Sequence, residues 1–479
     1  MKDGIKGLKS YFSTIDARLF QHLSGKPKEF VEIFLSKIFL TEEAFEQAVR
    51  GDIKDEYYYK DLKSRTLQIL QAFVVVSPTK GASSLKKKLE NCQKKFLVSH
   101  KFLTKGDREE GFRLAKQAYL EAEEYGFTHL ACELATMLQH EYIYFQKNRR
   151  EAAKYAAKAR LHLQDYLAEK EAEICFNEVV EQLHYSTITI DKIEDIINKI
   201  SSIESQSAKY KVYATFLKVL YGLQREEYKY IITNCRLVLH FFKSHKGIYP
   251  TQYFFFLQNQ GMAQIALSQY AQAAASFEQA KQYTNNKPHN IYTIQFYTML
   301  NALHARNYAL AYELYQKNKK CKIAHIRQHF AIAEAYLCFL TYTGHLQLQR
   351  SFRMSKYLNE TFKAQQEKQG NNINILIAEL LVYLARDRGK LIDRIEGIKH
   401  YIYRHLKGED TQRARWFLKI ICTLPSVDFH PILLQRKCKK QISLLGNSTI
   451  RMGANLAIEF IPLDYLLALV LQQLQQKVA

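Results

Sequence analysis

The sequence predicts an all-α fold in which helical hairpins stack against one another. Three observations lead to this prediction: helix-breaking residues are scarce, apolar residues recur at helical spacing, and one apolar pattern returns at near-regular intervals. The chain has 479 residues, which is more than one ordinary hydrophobic core accommodates. We therefore expect either several domains or one elongated array.

Helix breakers are few along the whole chain. It contains 7 prolines and 18 glycines, both below ordinary usage. No proline falls between Pro78 and Pro250, so helices in this long stretch are not interrupted. An all-β chain would need more turn-forming residues. Hydrophobic residues make up 47% of the chain, which argues against global disorder.

Residues 1–76 are predicted to form a small N-terminal helical head. Thr41 is a suitable N-cap for a short helix, Glu42–Val49, and a longer helix is expected at Tyr57–Val76. Residues 77–84, Ser-Pro-Thr-Lys-Gly-Ala-Ser-Ser, predict a linker. The head lacks the strand pattern that a winged helix needs, so a cap on the following helices is favoured.

From residue 85 to residue 365 one apolar pattern recurs. Taking one marker residue for each unit, the positions are Ala115, Ala152, Ile196, Ile231, Ala273, Ala311 and Ser351. A single amphipathic helix produces such a match by chance. Seven matches at near-regular spacing instead indicate units that cannot bury their apolar faces alone and must stack. Residues 366–479 are expected to continue as helical hairpins and to end in a capping helix.

The clearest unit lies at residues 254–283 and matches the spacing of the tetratricopeptide repeat (TPR) at Leu257, Gly261, Tyr270, Ala273, Phe277 and Ala280. The chain therefore resembles a degenerate TPR-like helical-repeat protein, with units longer than the family period of about 34 residues. This resemblance implies a right-handed α-solenoid of TPR-like hairpins, in which Gly261 lets two helices approach closely. The head at Phe30–Val76, followed by irregular repeats, also resembles uncharacterised bacterial helical-repeat proteins, which implies no particular activity.

Some TPR proteins hold a C-terminal carboxylate with lysine and asparagine side chains. Gln258, Asn259 and Met262 occupy the corresponding stretch here. The lysines of that clamp are missing, so the clamp itself is not predicted. The resemblance still implies that these three residues line a concave partner-binding surface.

The chain is strongly basic, with 69 Lys and Arg against 47 Asp and Glu and a formal charge of +22. This favours acidic partners, namely nucleic acid, an anionic membrane or an acidic protein. Lys87, Lys94 and Lys101 recur every seven residues, with Lys88 and Lys95 beside them. Such a basic patch predicts salt-sensitive phosphate binding, and the alternative is an ordinary solvated face. Smaller basic clusters occur near residues 147–150, 317–320 and 436–440.

No motif for a catalytic or cofactor site is present. The sequence lacks phosphate-binding loops, a nucleophile elbow and a zinc-protease motif. Cys321, His325 and His329 share one helical face, but a structural zinc site needs a fourth ligand and none is nearby. A packing stripe is favoured, so we predict no enzyme, cofactor or metal.

The eight cysteines are scattered and form no CxxC motif, which is typical of a reducing compartment. The N-terminus shows no signal-peptide core, and Tyr465–Leu471 is too short an apolar run to span a bilayer. We therefore predict a cytoplasmic, non-enzymatic scaffold or adaptor that binds a protein or peptide, most favourably an acidic one, on its concave face. The alternative is a nucleic-acid-binding or regulatory protein that uses the basic helical patches. The sequence leaves the partner, the oligomeric state and the role of the head open.

Overall fold

The computed structural model describes residues 55–76, 83–185, 189–347, 352–365, 371–408, 411–450 and 458–476. Over these ranges the backbone forms helices joined by turns and loops, and it contains no strand. The predicted all-α fold is confirmed. The chain divides into two compact units, residues 1–121 and 122–479.

The first unit contains α1 (Glu56–Val76), α2 (Ser84–Lys105) and most of α3 (Arg108–Tyr125). Helix α1 matches the predicted helix within one residue, whereas the predicted helix at 42–49 and most of the linker lie outside the described residues. Ser83 caps α2, since its hydroxyl accepts a hydrogen bond from the amide of Lys86. Helix α2 packs on α3 through Cys92, whose thiol donates to the carbonyl of Ala118.

The second unit is a succession of further helices. They are α4 (Thr128–Tyr144), α5 (Arg149–His184), α6 (Ile190–Ser201), α7 (Ala208–Arg225), α8 (Tyr228–Phe242), α9 (Pro250–Ala266), α10 (Tyr270–Lys281), α11 (Pro288–His304), α12 (Tyr308–Asn318), α13 (Ala324–Tyr342), α14 (Met354–Gln365), α15 (Asn371–Arg386), α16 (Arg388–His405), α17 (Gln412–Thr423), α18 (Pro431–Lys437), α19 (Lys439–Gly446) and α20 (Leu463–Gln476). A 3₁₀ turn, Leu424–Val427, follows α17.

One hairpin turn recurs along this unit. After each turn comes a residue whose backbone amide donates to the carbonyl oxygen five positions earlier. These donor residues are Glu227, Gln269, Asn307 and His345. The residue before each of these has positive φ: Glu226, Ser268, Arg306 and Gly344. This is the bonding of a helix C-terminus closed by a left-handed residue. It joins α7 to α8, α9 to α10 and α11 to α12, and it also follows the end of α13.

Packing in this region runs mainly between near neighbours along the chain. From α7 to α17 each helix packs on the next, and α9, α11, α13, α15 and α17 also pack side by side. The marker residues Ile231, Ala273 and Ala311 lie fully buried in the even-numbered helices. The longest interval between markers, from Ala152 to Ile196, corresponds to α5, which runs unbroken for 36 residues.

The close approach expected at Gly261 is present between α9 and α10. A Cβ atom at Gly261 would lie 2.3 Å from Cε1 of Phe277, a distance that no side chain tolerates without movement. No described helix combines the length and apolar character that crossing a membrane requires.

Candidate functional site

A basic cavity of about 680 Å³ opens between α12, α13 and α14. We call it the first cavity. Its cationic side chains come from the end of α12, the first turn of α13 and the start of α14: Lys319, Lys320, Arg327, Arg353 and Lys356. Glu334 is the one carboxylate among its described lining residues.

The floor of the first cavity is aromatic and fixed by packing. Phe330, Phe352 and Tyr357 are buried there. The Tyr357 hydroxyl donates to the carbonyl of Ile375 on α15 at 3.0 Å, which holds α14 in place. The cations therefore stand at the rim of a preformed concave site and not on a flat surface.

The charges of the first cavity are largely uncompensated. Lys320, Arg327 and Arg353 are exposed and form no ion pair within the described residues. The ammonium of Lys319 donates to the neutral amide oxygen of Gln316. Like charges around one concavity create a positive potential that an anionic group relieves, so this arrangement is suited to binding carboxylates or phosphates.

The opposite side of α13 is occupied by the chain itself. Tyr336 and Glu334 are two positions apart, which is about 200° around a helix. Tyr336 stacks on Phe460 with ring centroids 5.3 Å apart, and Phe460 also contacts Phe296 of α11 at 5.7 Å. The C-terminal segment, residues 458–476, thus covers this side of the helices.

The same segment is held by a buried polar network. Arg413 of α17 donates to both carboxylate oxygens of Glu459, at 2.5 and 3.1 Å, and to Asp464 at 3.1 Å. Its remaining nitrogen donates to the carbonyl oxygens of Leu445 and Ser448. Because the guanidinium is satisfied on all sides, this network positions the segment and leaves nothing free for a ligand.

A buried histidine completes the attachment of the C-terminal segment. His304 of α11 donates from Nε2 to the carbonyl of Glu459 at 2.7 Å. Burial lowers the pKa of His304 to about 4, although the hydrogen bond to Glu459 and the charge of Asp464 act in the opposite direction. The imidazole is therefore neutral at physiological pH.

The three residues predicted to line a partner-binding surface lie mostly inside the helical stack. Asn259 and Met262 are only 5% and 3% exposed, and the Asn259 amide donates to the carbonyl of Phe255 on its own helix. Gln258 is half-buried, with Nε2 4.0 Å from Sδ of Met262. Partner binding by these residues stays a prediction, and of the three only Gln258 reaches the surface.

The predicted basic patch lies on α2 in the first unit. Lys87, Lys88 and Lys101 are exposed, whereas Lys94 and Lys95 are half-buried. The ammonium of Lys95 lies 2.8 Å from the carboxylate of Glu121. The patch is therefore partly neutralised, and its binding of phosphates stays a prediction.

The side chains of Cys321, His325 and His329 do not form a common site. His329 stacks on Phe296 with centroids 4.6 Å apart, and the Cys321 thiol lies 3.8 Å from the carbonyl of Ile323. In the described part of the chain, no three histidine, cysteine or acidic side chains are grouped closely enough to hold a metal ion.

The first cavity was only partly visible in the sequence. The lysine cluster near residues 317–320 pointed to one wall, but Arg327 and Arg353 join it only through the packing of α13 and α14. Comparison with known proteins finds no family model, curated protein or solved structure that matches the chain. The resemblance to TPR proteins therefore rests on the sequence pattern alone.

Proposed function

We propose that this protein is a non-enzymatic scaffold, a right-handed α-solenoid of TPR-like hairpins, that binds an acidic segment of another protein in the first cavity. The recurring turn and the packing of each helix on its near neighbours support the solenoid, because stacked repeats contact only the units beside them.

The observation that carries the proposal is the charge of the first cavity. Five cations surround an aromatic floor and face one carboxylate. Aspartate or glutamate side chains of a partner can form charge-assisted hydrogen bonds with Arg327 and Arg353, since a guanidinium binds a carboxylate through two parallel donors. Apolar side chains of the same segment can pack on the aromatic rings below.

The proposed site lies on the side of the stack opposite the C-terminal segment. A partner on the covered side would have to displace Phe460 and break the Arg413–Glu459 pair. The first cavity requires no such displacement. We therefore place partner binding at the first cavity and not across the covered side of α11, α13 and α17.

A nucleic-acid ligand is the second candidate because Lys87 and Lys101 are exposed at heptad spacing on α2. Duplex DNA carries one charge per roughly 1.7 Å of its axis and is best matched by a continuous basic track. The pairing of Lys95 with Glu121 interrupts the positive charge of the patch on α2, and Glu334 interrupts the positive charge around the first cavity. These interruptions favour a protein ligand with localised charge.

We also propose a cytoplasmic location. All eight cysteines are free thiols, and six of them are buried. A reducing compartment preserves this state.

The test is peptide binding by the full-length protein. A fluorescein-labelled peptide with one run of three glutamates between glycine–serine flanks should bind, and its affinity should fall as salt rises from about 50 to 150 mM because exposed charges are screened. The double variant Lys320→Gln/Arg327→Gln should weaken binding about tenfold or more, which corresponds to at least about 1.4 kcal/mol.

Lys229→Gln is the matched control, because Lys229 is exposed on α8 and does not line the first cavity. Equal peptide affinity for the double variant and this control would refute the proposed site. Tighter binding of an oligonucleotide of the same charge, lost in Lys87→Gln/Lys101→Gln, would instead establish the nucleic-acid alternative.

A further inference from the structure

A second basic cavity, of about 530 Å³, lies between α16 and α17 and reaches Gln441 of α19. Four cations line it: Lys399, Lys407, Arg415 and Lys419. None of its described lining residues carries a carboxylate. Glu409 and Asp410, which follow Lys407 in the sequence, lie outside the described residues.

The two cavities occupy equivalent positions at two helix junctions of the stack. Lys320 is the second residue after the end of α12, and Lys407 is the second residue after the end of α16. Arg327 is the fourth residue of α13, and Arg415 is the fourth residue of α17. The same pair of cations therefore flanks the same helix junction two hairpins apart.

This cation pair is not a by-product of the hairpin. The residues at the equivalent positions are Tyr283 and Ile291 between α10 and α11, and Ser244 and Tyr253 between α8 and α9. Neither junction carries a cation at these positions. The cation pair recurs at two junctions and is absent from two others, so the hairpin does not require it and its charge is available for binding.

Helix α15, which packs between α13 and α17, lacks the arginine of this cation pair. Glu379 of α15, which is buried, accepts hydrogen bonds from Arg394 of α16 at 3.0 Å. Asn374, the fourth residue of α15, is also buried and uncharged. The arginine of the pair is therefore present at the fourth position of α13 and α17 and absent from the fourth position of α15.

We propose that the two cavities together bind one acidic protein segment that carries two separate clusters of carboxylates. This inference rests on the proposed function for the first cavity and adds the second cavity as a simultaneous site. A nucleic acid carries evenly spaced phosphates, whereas a peptide places charge only where its sequence has it, which suits two separate basic cavities.

The spacing of the clusters follows from helix packing. Packed helices lie about 8–10 Å apart, and α15 lies between α13 and α17, so the two cavities are separated by roughly 16–20 Å. An extended chain covers about 3.3 Å per residue. The two acidic clusters should therefore be joined by about six residues.

The experiment compares three labelled peptides on the full-length protein. One has a single cluster of three glutamates, and two have a pair of such clusters joined by either one or six glycine–serine residues. The six-residue peptide should bind at least tenfold tighter than the single cluster, because binding at one cavity raises the effective concentration at the other. Two independent sites alone would give only a factor of two. The one-residue spacer holds the centres of its two clusters only about 13 Å apart, so its gain in affinity should be smaller than that of the six-residue spacer.

Substitutions in the second cavity test whether that cavity produces the gain in affinity. Lys407→Gln/Lys419→Gln changes two exposed side chains and should return the six-residue peptide to the affinity of the single cluster, whereas Lys229→Gln should leave the gain intact. The proposal is overturned if the six-residue peptide binds no tighter than the single-cluster peptide, or if its gain in affinity survives Lys407→Gln/Lys419→Gln. It is also overturned if an oligonucleotide of equal charge shows the same gain in affinity over the single-cluster peptide. Failure of the single-cluster peptide to bind would refute the proposed function as well, so the two failures are distinguishable.

Discussion

Helices α13 and α17 each present two opposite sides that the molecule uses differently. On the covered side, Tyr336 and Arg413 bind the C-terminal segment. On the open side, two positions along each helix, Glu334 and Arg415 line the two cavities. The helices are the same, but one side is filled by the chain's own C-terminal segment and the other is open to solvent.

The arginines show the difference most directly. Arg413 is 4% exposed and donates to two carboxylates and two backbone carbonyls. Arg327 is exposed and forms no ion pair within the described residues. Moving a charge from water into the protein interior costs free energy, unless buried partners replace the hydrogen bonds that the charge made with water. A satisfied arginine therefore stabilises the fold, whereas an unpaired one at a cavity rim is available to a ligand.

The comparison also shows why resemblance alone does not locate a binding surface. The likeness to TPR proteins implied a partner on a concave face formed by the helices. Here the C-terminal segment fills one side of α11, α13 and α17, and the surplus charge lies on the other side. The position of the site follows from what the chain covers and what it leaves uncompensated.

The same substitution on the two sides should give very different losses of stability. Arg413→Ala should lower the free energy of unfolding by about 3–5 kcal/mol, because Glu459 remains buried without its partner. Arg327→Ala should change it by less than about 0.5 kcal/mol, as is usual for exposed residues. Urea unfolding followed by the fluorescence of Trp416 in α17, the one tryptophan of the chain, reports on this region.

Similar losses in the free energy of unfolding for the two variants would contradict this difference between the two sides. If Arg413→Ala were as mild as Arg327→Ala, the buried pair with Glu459 would not hold the C-terminal segment. A double variant, Arg413→Met/Glu459→Met, sharpens the test: replacing both charges by apolar groups should recover much of the loss, since neither charge is then left unpaired.

Much of the fold could be predicted from the sequence because it depends on local patterns. The apolar spacing placed buried residues such as Ile231, Ala273 and Ala311 on the correct helices. The contact at Gly261 was also predictable, because small residues at fixed spacing are what close helix packing requires. These features depend on residues near one another in the chain.

The attachment of the C-terminal segment, which decides the side left open for the candidate site, was less predictable because it depends on contacts between distant segments. Arg413 meets Glu459 across 46 positions and His304 meets Glu459 across 155, and no periodicity encodes either contact. Asn259 matched a family position, yet its side chain turns back to its own helix. The equivalence of Lys320 and Lys407 became visible only once the ends of α12 and α16 were defined.

The covered side should also be the acid-sensitive side. His304 has a pKa lowered to about 4 by burial, whereas an unfolded histidine titrates near 6.5. The unfolded chain therefore binds a proton that the folded chain excludes, and stability that is present above about pH 6.5 is lost as the pH falls towards 4. Between pH 7 and pH 5.5 this loss amounts to about 1.2 kcal/mol.

His304→Gln isolates this contribution, because the glutamine amide can keep the donor to the Glu459 carbonyl but does not titrate. Wild type should lose about 1.2 kcal/mol more than His304→Gln between pH 7 and pH 5.5, measured by urea unfolding of both proteins with Trp416 as the probe. Other titrating groups are common to the two proteins and cancel in the difference. The exposed His400→Gln serves as control and should follow wild type. Equal pH dependence of wild type and His304→Gln would mean that His304 does not stay buried and neutral, and the attachment of the C-terminal segment to α11 would then be looser than its contacts indicate.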